Sequence, residues 1–456
     1  MRLSALSAPL LLAAIGSGCN TETKDLKPAA RTELSLPGEE KPSQQASTQP
    51  LKWKDLVSTI TGETVLEIEG SIKLLDKNVY EKLTTLKSST SENEYKKTLL
   101  IIKDTINNLE TLTPGASKHI NNWIISQKNL QDINKLPLIE RYIERLAIHG
   151  ETDLDDALYS FTCIEVVPSE NVIDGLLKLH RELGFLRPNR LVDLSKNTEE
   201  RAKSLERIVK QLVRNFDLNY RKDSKILVVF VTGVTQDFED NGKKDMFAVG
   251  GERLLQELSN YKVFVCEADN ANEQIPEGAK RVKAVTGKTI NFVIFAGHGE
   301  SKPSRTNYGW AARPIYTIKP NQEYLTALKE KHADYVKQIS SGSVWKTDNI
   351  ATGNLTEEKA HLDLKDEKTL KLLKEYLDPN AVGIFASCSV GKEEGDSTSL
   401  ARNTAKKLGI PITACTEPIR GLLPKHDEKG NLIGVIFLDE SFQPHLPERT
   451  KVYLPK

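Results

Sequence analysis

The chain has little of what disulfide-rich, nucleic-acid-binding or membrane-spanning proteins require. Five cysteines among 456 residues are too few for a disulfide scaffold. Basic and acidic side chains number 63 each, so no excess of positive charge favours a nucleic-acid partner. Beyond the N-terminus, no apolar run approaches the roughly 18 residues that a membrane-spanning helix needs. The length itself predicts a globular protein of two or three domains.

The N-terminus predicts export and attachment to a membrane. Residues 1–19 form a signal peptide: Met1 and Arg2 precede an apolar stretch over 3–15, and small residues then lead to Cys19. This arrangement resembles the lipobox of bacterial lipoproteins, which implies lipidation of Cys19 and a lipid-anchored place in the bacterial cell envelope. The alternative is an ordinary cleaved signal with an incidental cysteine.

Two folded regions are expected after a flexible linker. Residues 20–50 are rich in Pro, Ser and Gln and lack the apolar surface that would offset the entropy of ordering them. Over 51–222 apolar residues recur every three or four positions, which predicts an α-helical accessory domain. His119, His149 and His180 are far apart in this part of the sequence, and an isolated histidine is usually structural.

Residues 223–456 alternate between strand and helix patterns. Continuous apolar runs, typical of strands buried on both faces, occur at 225–231, 261–266, 290–296, 382–386 and 410–414, with 432–438 as a candidate sixth strand. Helical patterns occur at 247–258, 277–285, 369–377 and 397–408. The predicted fold class is therefore α/β, with a doubly wound, mostly parallel sheet preceded by a separate α-helical domain.

Two reactive side chains follow predicted strands. His298 comes directly after the third strand, between two glycines, and Cys388 comes after the fourth. Function in open α/β sheets collects at the carboxyl ends of the strands, so both residues are expected at one edge. A cysteine thiolate beside an imidazole is a competent nucleophile and base.

Strands ending in Gly297-His298-Gly299 and in Ala386-Ser387-Cys388-Ser389-Val390-Gly391 resemble the caspase-like cysteine peptidase superfamily, over about residues 224–440. The resemblance implies a caspase-like sheet and hydrolysis of peptide bonds in a protein or peptide substrate. It implies that Cys388 is the nucleophile and His298 the general acid and base. The backbone N–H groups of Gly299 and Cys388 would form the oxyanion hole.

The same resemblance implies a substrate pocket at Asp237, Ala386, Ser387 and Glu417. Acidic groups there would suit arginine or lysine before the scissile bond, although residues 237–240 also fit a solvated turn. Asp237, Glu239 and Asp240 are in addition calcium candidates, without the twelfth-position glutamate of an EF-hand. No other cofactor is expected.

A long insert, about residues 300–366, separates His298 from Cys388 and includes a helical pattern over 327–336. Loops of this length are usually functional or mobile. Two alternatives to the peptidase remain: a catalytically inactive caspase-like module for binding or assembly in an exported lipoprotein, and an α/β domain that binds a small molecule.

Overall fold

The computed structural model describes residues 76–231, 258–299, 310–311, 322–341 and 367–455, except residues 89, 152–153, 185, 193, 195, 259, 269–270, 388, 394–398, 420, 429–431, 440 and 442. The predicted signal peptide, the linker over 20–50 and nearly all of the predicted helix at 247–258 lie outside the described residues.

The first described region is helical, as its apolar spacing predicts. Its helices are α1 Lys77–Lys87, α2 Glu92–Leu112, α3 Ala116–Ser126, α4 Leu130–Ile133, α5 Leu136–Ile148, α6 Leu154–Thr162, α7 Glu170–Leu183 and α8 Thr198–Arg214. Polar side chains cap several N-termini: Ser169 accepts from the N–H of Val172, and Asn197 accepts from the N–H of Glu200.

A six-stranded sheet follows. Its strands are β1 Lys225–Val231, β2 Tyr261–Glu267, β3 Ile290–Ala296, β6 Leu377–Ala386, β7 Ile412–Cys415 and β10 Thr450–Tyr453. The spatial order is β10-β7-β6-β3-β1-β2. Every pair is parallel except β10 with β7, so the prediction of a mostly parallel α/β sheet is confirmed.

The other elements connect or flank the sheet. They are helices α9 Ala271–Thr286, α10 Gln322–Lys331, α11 Ala333–Ser341, α12 Glu367–Lys374 and α13 Leu400–Leu408, with strands β4 His298–Gly299, β5 Trp310–Ala311, β8 Gly421–His426 and β9 Leu432–Leu438. The predicted sixth strand at 432–438 exists but joins β8 in a separate antiparallel pair. The sixth strand of the main sheet is instead β10.

The helical region and the sheet share one hydrophobic core. Val229, Val263, Ile294 and Ala386 lie on one face of the sheet, and their cluster includes Leu146 and many other residues of α1–α8. The opposite face packs mainly against α9, α12 and α13. Helices thus cover both faces of the sheet, and this structure does not divide the helical region from the sheet. The division of the chain at residue 222 into separate domains stays a prediction.

Buried polar contacts reinforce this junction. Arg187, which precedes the 3-10 helix Pro188–Arg190, is almost fully buried between the carboxylates of Asp156 and Glu267, with which its guanidinium forms ion pairs. The Asn215 amide donates to the carbonyl of Val263 at 2.8 Å. The helical region is thereby joined to β2 by charge as well as by apolar contact.

Among the described helices, none combines the length and apolarity needed to cross a membrane.

Candidate functional site

The ends of β3 and β6 form the candidate site. These strands are parallel neighbours, and Ala296 pairs with Ala386 in their register. Both alanines are buried in the same core, on the same face of the sheet. His298 and Cys388 each follow two residues later, which is one period of strand alternation. The structure therefore brings together the two strand ends that precede the predicted dyad. Cys388 and the His298 side chain lie outside the described residues.

The backbone around His298 is described. His298 and Gly299 form β4, which pairs with Trp310 and Ala311 of β5 in antiparallel fashion. The N–H of Gly297 lies 3.4 Å from the carbonyl oxygen of Ala386. This contact continues the β3–β6 ladder one residue past the last paired alanines. Strands β4 and β5 thus form a short antiparallel pair directly after β3.

The turn on the other side of Cys388 is fixed against β7. The N–H of Ser389 donates to the carbonyl of Glu417 at 3.1 Å, and the N–H of Gly391 donates to that of Cys415 at 3.0 Å. Ser389 adopts a φ of 56°, a left-handed conformation that is uncommon for a residue other than glycine. Such conformations persist where the surroundings impose them and often occur at functional sites.

The glycine of the Cys-x-x-Gly pattern has a steric reason. A Cβ atom at Gly391 would stand 2.9 Å from the carbonyl oxygen of Cys415, closer than packing allows. The hydroxyl of Tyr453 also donates to the carbonyl of Gly391, which closes the turn from the β10 side. Glycine at this position thus lets the turn after Cys388 approach the backbone of β7 closely.

The predicted substrate-pocket residues differ in their surroundings. Ala386 and Ser387 are buried, and the Ser387 hydroxyl has no hydrogen-bond partner among the described residues. Glu417 lies at the surface, where one carboxylate oxygen is 2.6 Å from an Arg449 guanidinium nitrogen. A basic substrate side chain at Glu417 would therefore compete with Arg449. Asp237, Glu239, Asp240 and Cys19 lie outside the described residues.

None of the three described cysteines is a good candidate for the nucleophile, because two are deeply buried and the third lies outside the candidate site. Burial raises the pKa of the Cys266 thiol to about 12 and that of Cys415 to about 11, so both stay protonated near neutral pH. Cys163 is half-buried in the helical region, and its thiol lies 3.4 Å from the carbonyl of Ser160. Within the described ranges, no three His, Cys, Asp or Glu side chains cluster in a way that could hold a metal ion.

Two of the three histidines that look isolated in sequence meet in the structure. The rings of His149 and His180 pack edge to face with centroids 5.3 Å apart, and the Nε2 atom of His149 lies 2.6 Å from the Tyr335 hydroxyl. His119 instead lies 3.1 Å from the Asp155 carboxylate. No local sequence pattern predicts the His149–His180 contact, because the contact depends on how α5, α7 and α11 pack.

Comparison of the chain with models of protein families, with curated proteins and with solved structures finds no match.

Proposed function

We propose that this protein is a caspase-like cysteine endopeptidase with Cys388 as nucleophile and His298 as general acid and base. The observation that carries the proposal is the pairing of β3 with β6, in which Ala296 opposes Ala386 and the two reactive residues follow at equal offset. Two adjacent parallel strands that end in register can present a thiol and an imidazole to the same substrate.

The reaction follows from the chemistry of that pair. His298 takes the proton of the Cys388 thiol, the resulting thiolate attacks the scissile carbonyl carbon, and backbone N–H groups of Gly299 and Cys388 bind the oxyanion that forms. The C–N bond breaks as the protonated His298 gives its proton to the leaving amine, which leaves a thioester on Cys388. His298 then takes a proton from water, the hydroxide displaces the thiolate, and the new carboxylate departs.

Specificity is proposed for peptides with a basic residue before the scissile bond. In this proposal, the carboxylates of Asp237 and Glu417 bind the basic side chain of the substrate. Ala386 and Ser387, which precede Cys388, line the same substrate pocket. Because Glu417 already pairs with Arg449, we expect Asp237 to contribute more to this preference. In the same proposal, the carboxylates of Asp237, Glu239 and Asp240 are candidate ligands for a calcium ion.

Thiol labelling tests the dyad. The probes are peptidyl electrophiles that end in Arg, Lys or Asp, applied to the full chain, and the adduct is located by peptide mass spectrometry. We expect one adduct, at Cys388, that is absent from Cys388→Ala. His298→Ala should label at least ~100-fold more slowly, since general acid–base groups contribute factors of about 10² to 10⁴.

Cys163→Ala is the matched control, because it removes a half-buried thiol outside the candidate site and should leave the rate unchanged. Faster labelling by the Asp-ending probe would reject basic specificity while leaving the dyad intact. No labelling of either the intact or a proteolytically trimmed protein would reject the peptidase. It would favour the catalytically inactive module for binding or assembly.

Export and lipid attachment at Cys19 are proposed from the N-terminal pattern alone. Expression of the full chain in a bacterium with lipoprotein processing should place it in the membrane fraction, with a fatty acid detectable on the N-terminal peptide. Cys19→Ala should remove the lipid and release the protein from the membrane, whereas Cys163→Ala should change neither. Membrane association that persists without Cys19 would contradict the anchor.

A further inference from the structure

The described part of the insert is seated on the helical region. Helices α10 and α11, here called the strap (Gln322–Ser341), belong to the segment that joins His298 to Cys388. Leu328 is buried in the core that the helices share with the sheet. The Tyr324 hydroxyl lies 3.3 Å from the carbonyl of Asn108 in α2. The segment between the two candidate catalytic residues is therefore held by a region outside the sheet.

A buried carboxylate on α5 binds the middle of the strap. Glu144 has a side chain that is 2% exposed, and its two oxygens lie 2.9 Å from Lys331 Nζ and 2.7 Å from His332 Nε2. Lys331 also lies 3.1 Å from Glu140. Burial by itself lowers the pKa of Lys331, but its bonds and proximity to Glu144 and Glu140 outweigh burial and raise it. Lys331 therefore stays protonated where the strap contacts α5.

The second half of the strap is held by a neutral pair. The Tyr335 hydroxyl meets Nε2 of His149 at 2.6 Å, and Arg145 stacks over the Tyr335 ring at 4.2 Å. Burial raises the pKa of Tyr335 to about 12, so the hydroxyl keeps its proton and can donate it. Burial, followed by the charges of Arg181 and Arg145, lowers the pKa of His149 to about 4. His149 is therefore uncharged near neutral pH, and its Nε2 accepts from the Tyr335 hydroxyl in the tautomer that carries the proton on Nδ1.

Arginine side chains, each paired with a carboxylate, lie around the His149–Tyr335 pair. The groups around His149 and its partner His180 are Arg145 of α5, Arg181 of α7, Arg281 of α9 and Tyr335 of the strap. The nearby carboxylates already bind those arginines: Asp174 with Arg145, Glu182 with Arg181, and Glu277 with Arg281. On the strap side, Glu144 holds Lys331 and His332.

We propose that the strap is a latch that acid opens: neutral His149 holds Tyr335 and the strap on the helical region, and a proton on His149 releases them. A protonated His149 loses its acceptor lone pair toward the Tyr335 hydroxyl. It also places a half-buried cation near Arg145 and Arg181 and against a second imidazole, that of His180. Departure of the strap lets water reach His149 and relieves both costs.

The direction of the pH effect follows from the two pKa values. The open state binds the proton with the ordinary histidine pKa of about 6.5, and the closed state with the lowered value of about 4. The contribution of His149 to closure is fully present above pH 6.5 and is lost as the pH falls toward 4. At pH 5 the opening constant should be about 30-fold larger than at pH 7.5, by proton linkage between the two states.

Hydrogen exchange of the full chain measures the opening. Protection of strap amides is compared at pH 7.5 and pH 5.0 after correction for the intrinsic exchange rate at each pH. We expect wild-type strap protection to fall about 30-fold at pH 5.0. His149→Gln keeps an acceptor for Tyr335 but cannot gain a charge, so its strap protection should be the same at both pH values.

His119→Gln is the matched control, because His119 lies in the helical region beside Asp155 and away from the strap; it should keep the wild-type pH response. Amides of β3 should stay equally protected at both pH values. Unchanged strap protection in the wild type, an undiminished response in His149→Gln, or a parallel loss of protection in β3 would each overturn the latch.

The consequence for the site rests on the proposed function. A released strap frees the insert that follows His298, so at pH 5.0 the wild type should label at Cys388 at least threefold faster than His149→Gln, with equal rates at pH 7.5. Equal rates at both pH values, with the strap opening as expected, would reject the link to the site. Hydrogen exchange of the strap amides requires no reactive cysteine, so the proposed latch and the proposed peptidase activity can be rejected independently.

Discussion

Gly391 shows how one missing side chain can fix a turn beside a candidate nucleophile. A Cβ at this position would meet the carbonyl oxygen of Cys415, which cannot easily move because it belongs to β7 and accepts the Gly391 N–H. We expect Gly391→Ala to lower the free energy of unfolding by about 1–3 kcal/mol, the usual cost of overpacking a fixed site. Urea unfolding measures this change.

Gly434 supplies the control for that substitution. It lies in β9, and a Cβ there would have nothing within 4 Å. Gly434→Ala should therefore leave stability unchanged or raise it by up to about 1 kcal/mol, because alanine restricts the unfolded chain. Equal losses in both variants would mean that the contact with Cys415 does not determine the effect at Gly391.

At the scale of elements, sequence reasoning succeeds where burial is complete. The predicted bounds of β1 and β3 match the structure because both strands are apolar along nearly their whole length and lie between two layers of helix. The start of α13 is displaced from 397 to 400, where the Ser399 hydroxyl accepts the Arg402 N–H and caps the helix. A capping serine is visible in the sequence, but several nearby serines and threonines could serve.

The edge strand β10 marks the limit of such reasoning. Only four residues long and half exposed, it carries Thr450 and Lys451 and lacks an apolar run. Strand β9 has the stronger apolar pattern, yet it pairs with β8 outside the main sheet. Apolarity predicts that a segment forms a strand, whereas its partner depends on contacts distant in sequence. The same limit applies to the His149–Tyr335 contact, which joins residues from two regions of the chain.

At the scale of the whole molecule, the candidate site was more predictable than the surroundings that hold it. The order of apolar strands predicts that His298 and Cys388 lie at one edge of a parallel sheet, and the observed pairing of β3 with β6 brings together the two strand ends that precede them. The role of the helical region could not be predicted, because the polar part of its contacts with β2 and with the strap is made by single residues such as Arg187 and Glu144.

The shared core predicts that the helical region and the sheet unfold together. Leu146 of α5 and Ile294 of β3 belong to one apolar cluster, and the carboxylate of Glu267 in β2 would lose its buried Arg187 partner if the helices left. Breaking a buried pair of this kind costs about 3–5 kcal/mol. Neither region can therefore open alone without exposing apolar surface and an unpaired charge.

Native-state hydrogen exchange in increasing urea measures this coupling. The slowest amides of α5 and of β3 should report the same free energy of opening and the same dependence on urea, because both exchange through one global unfolding step. Removal of the guanidinium in Arg187→Met should lower both values together. Two different slopes, with α5 opening at lower urea than β3, would instead establish the independent helical domain that the sequence predicts over residues 51–222.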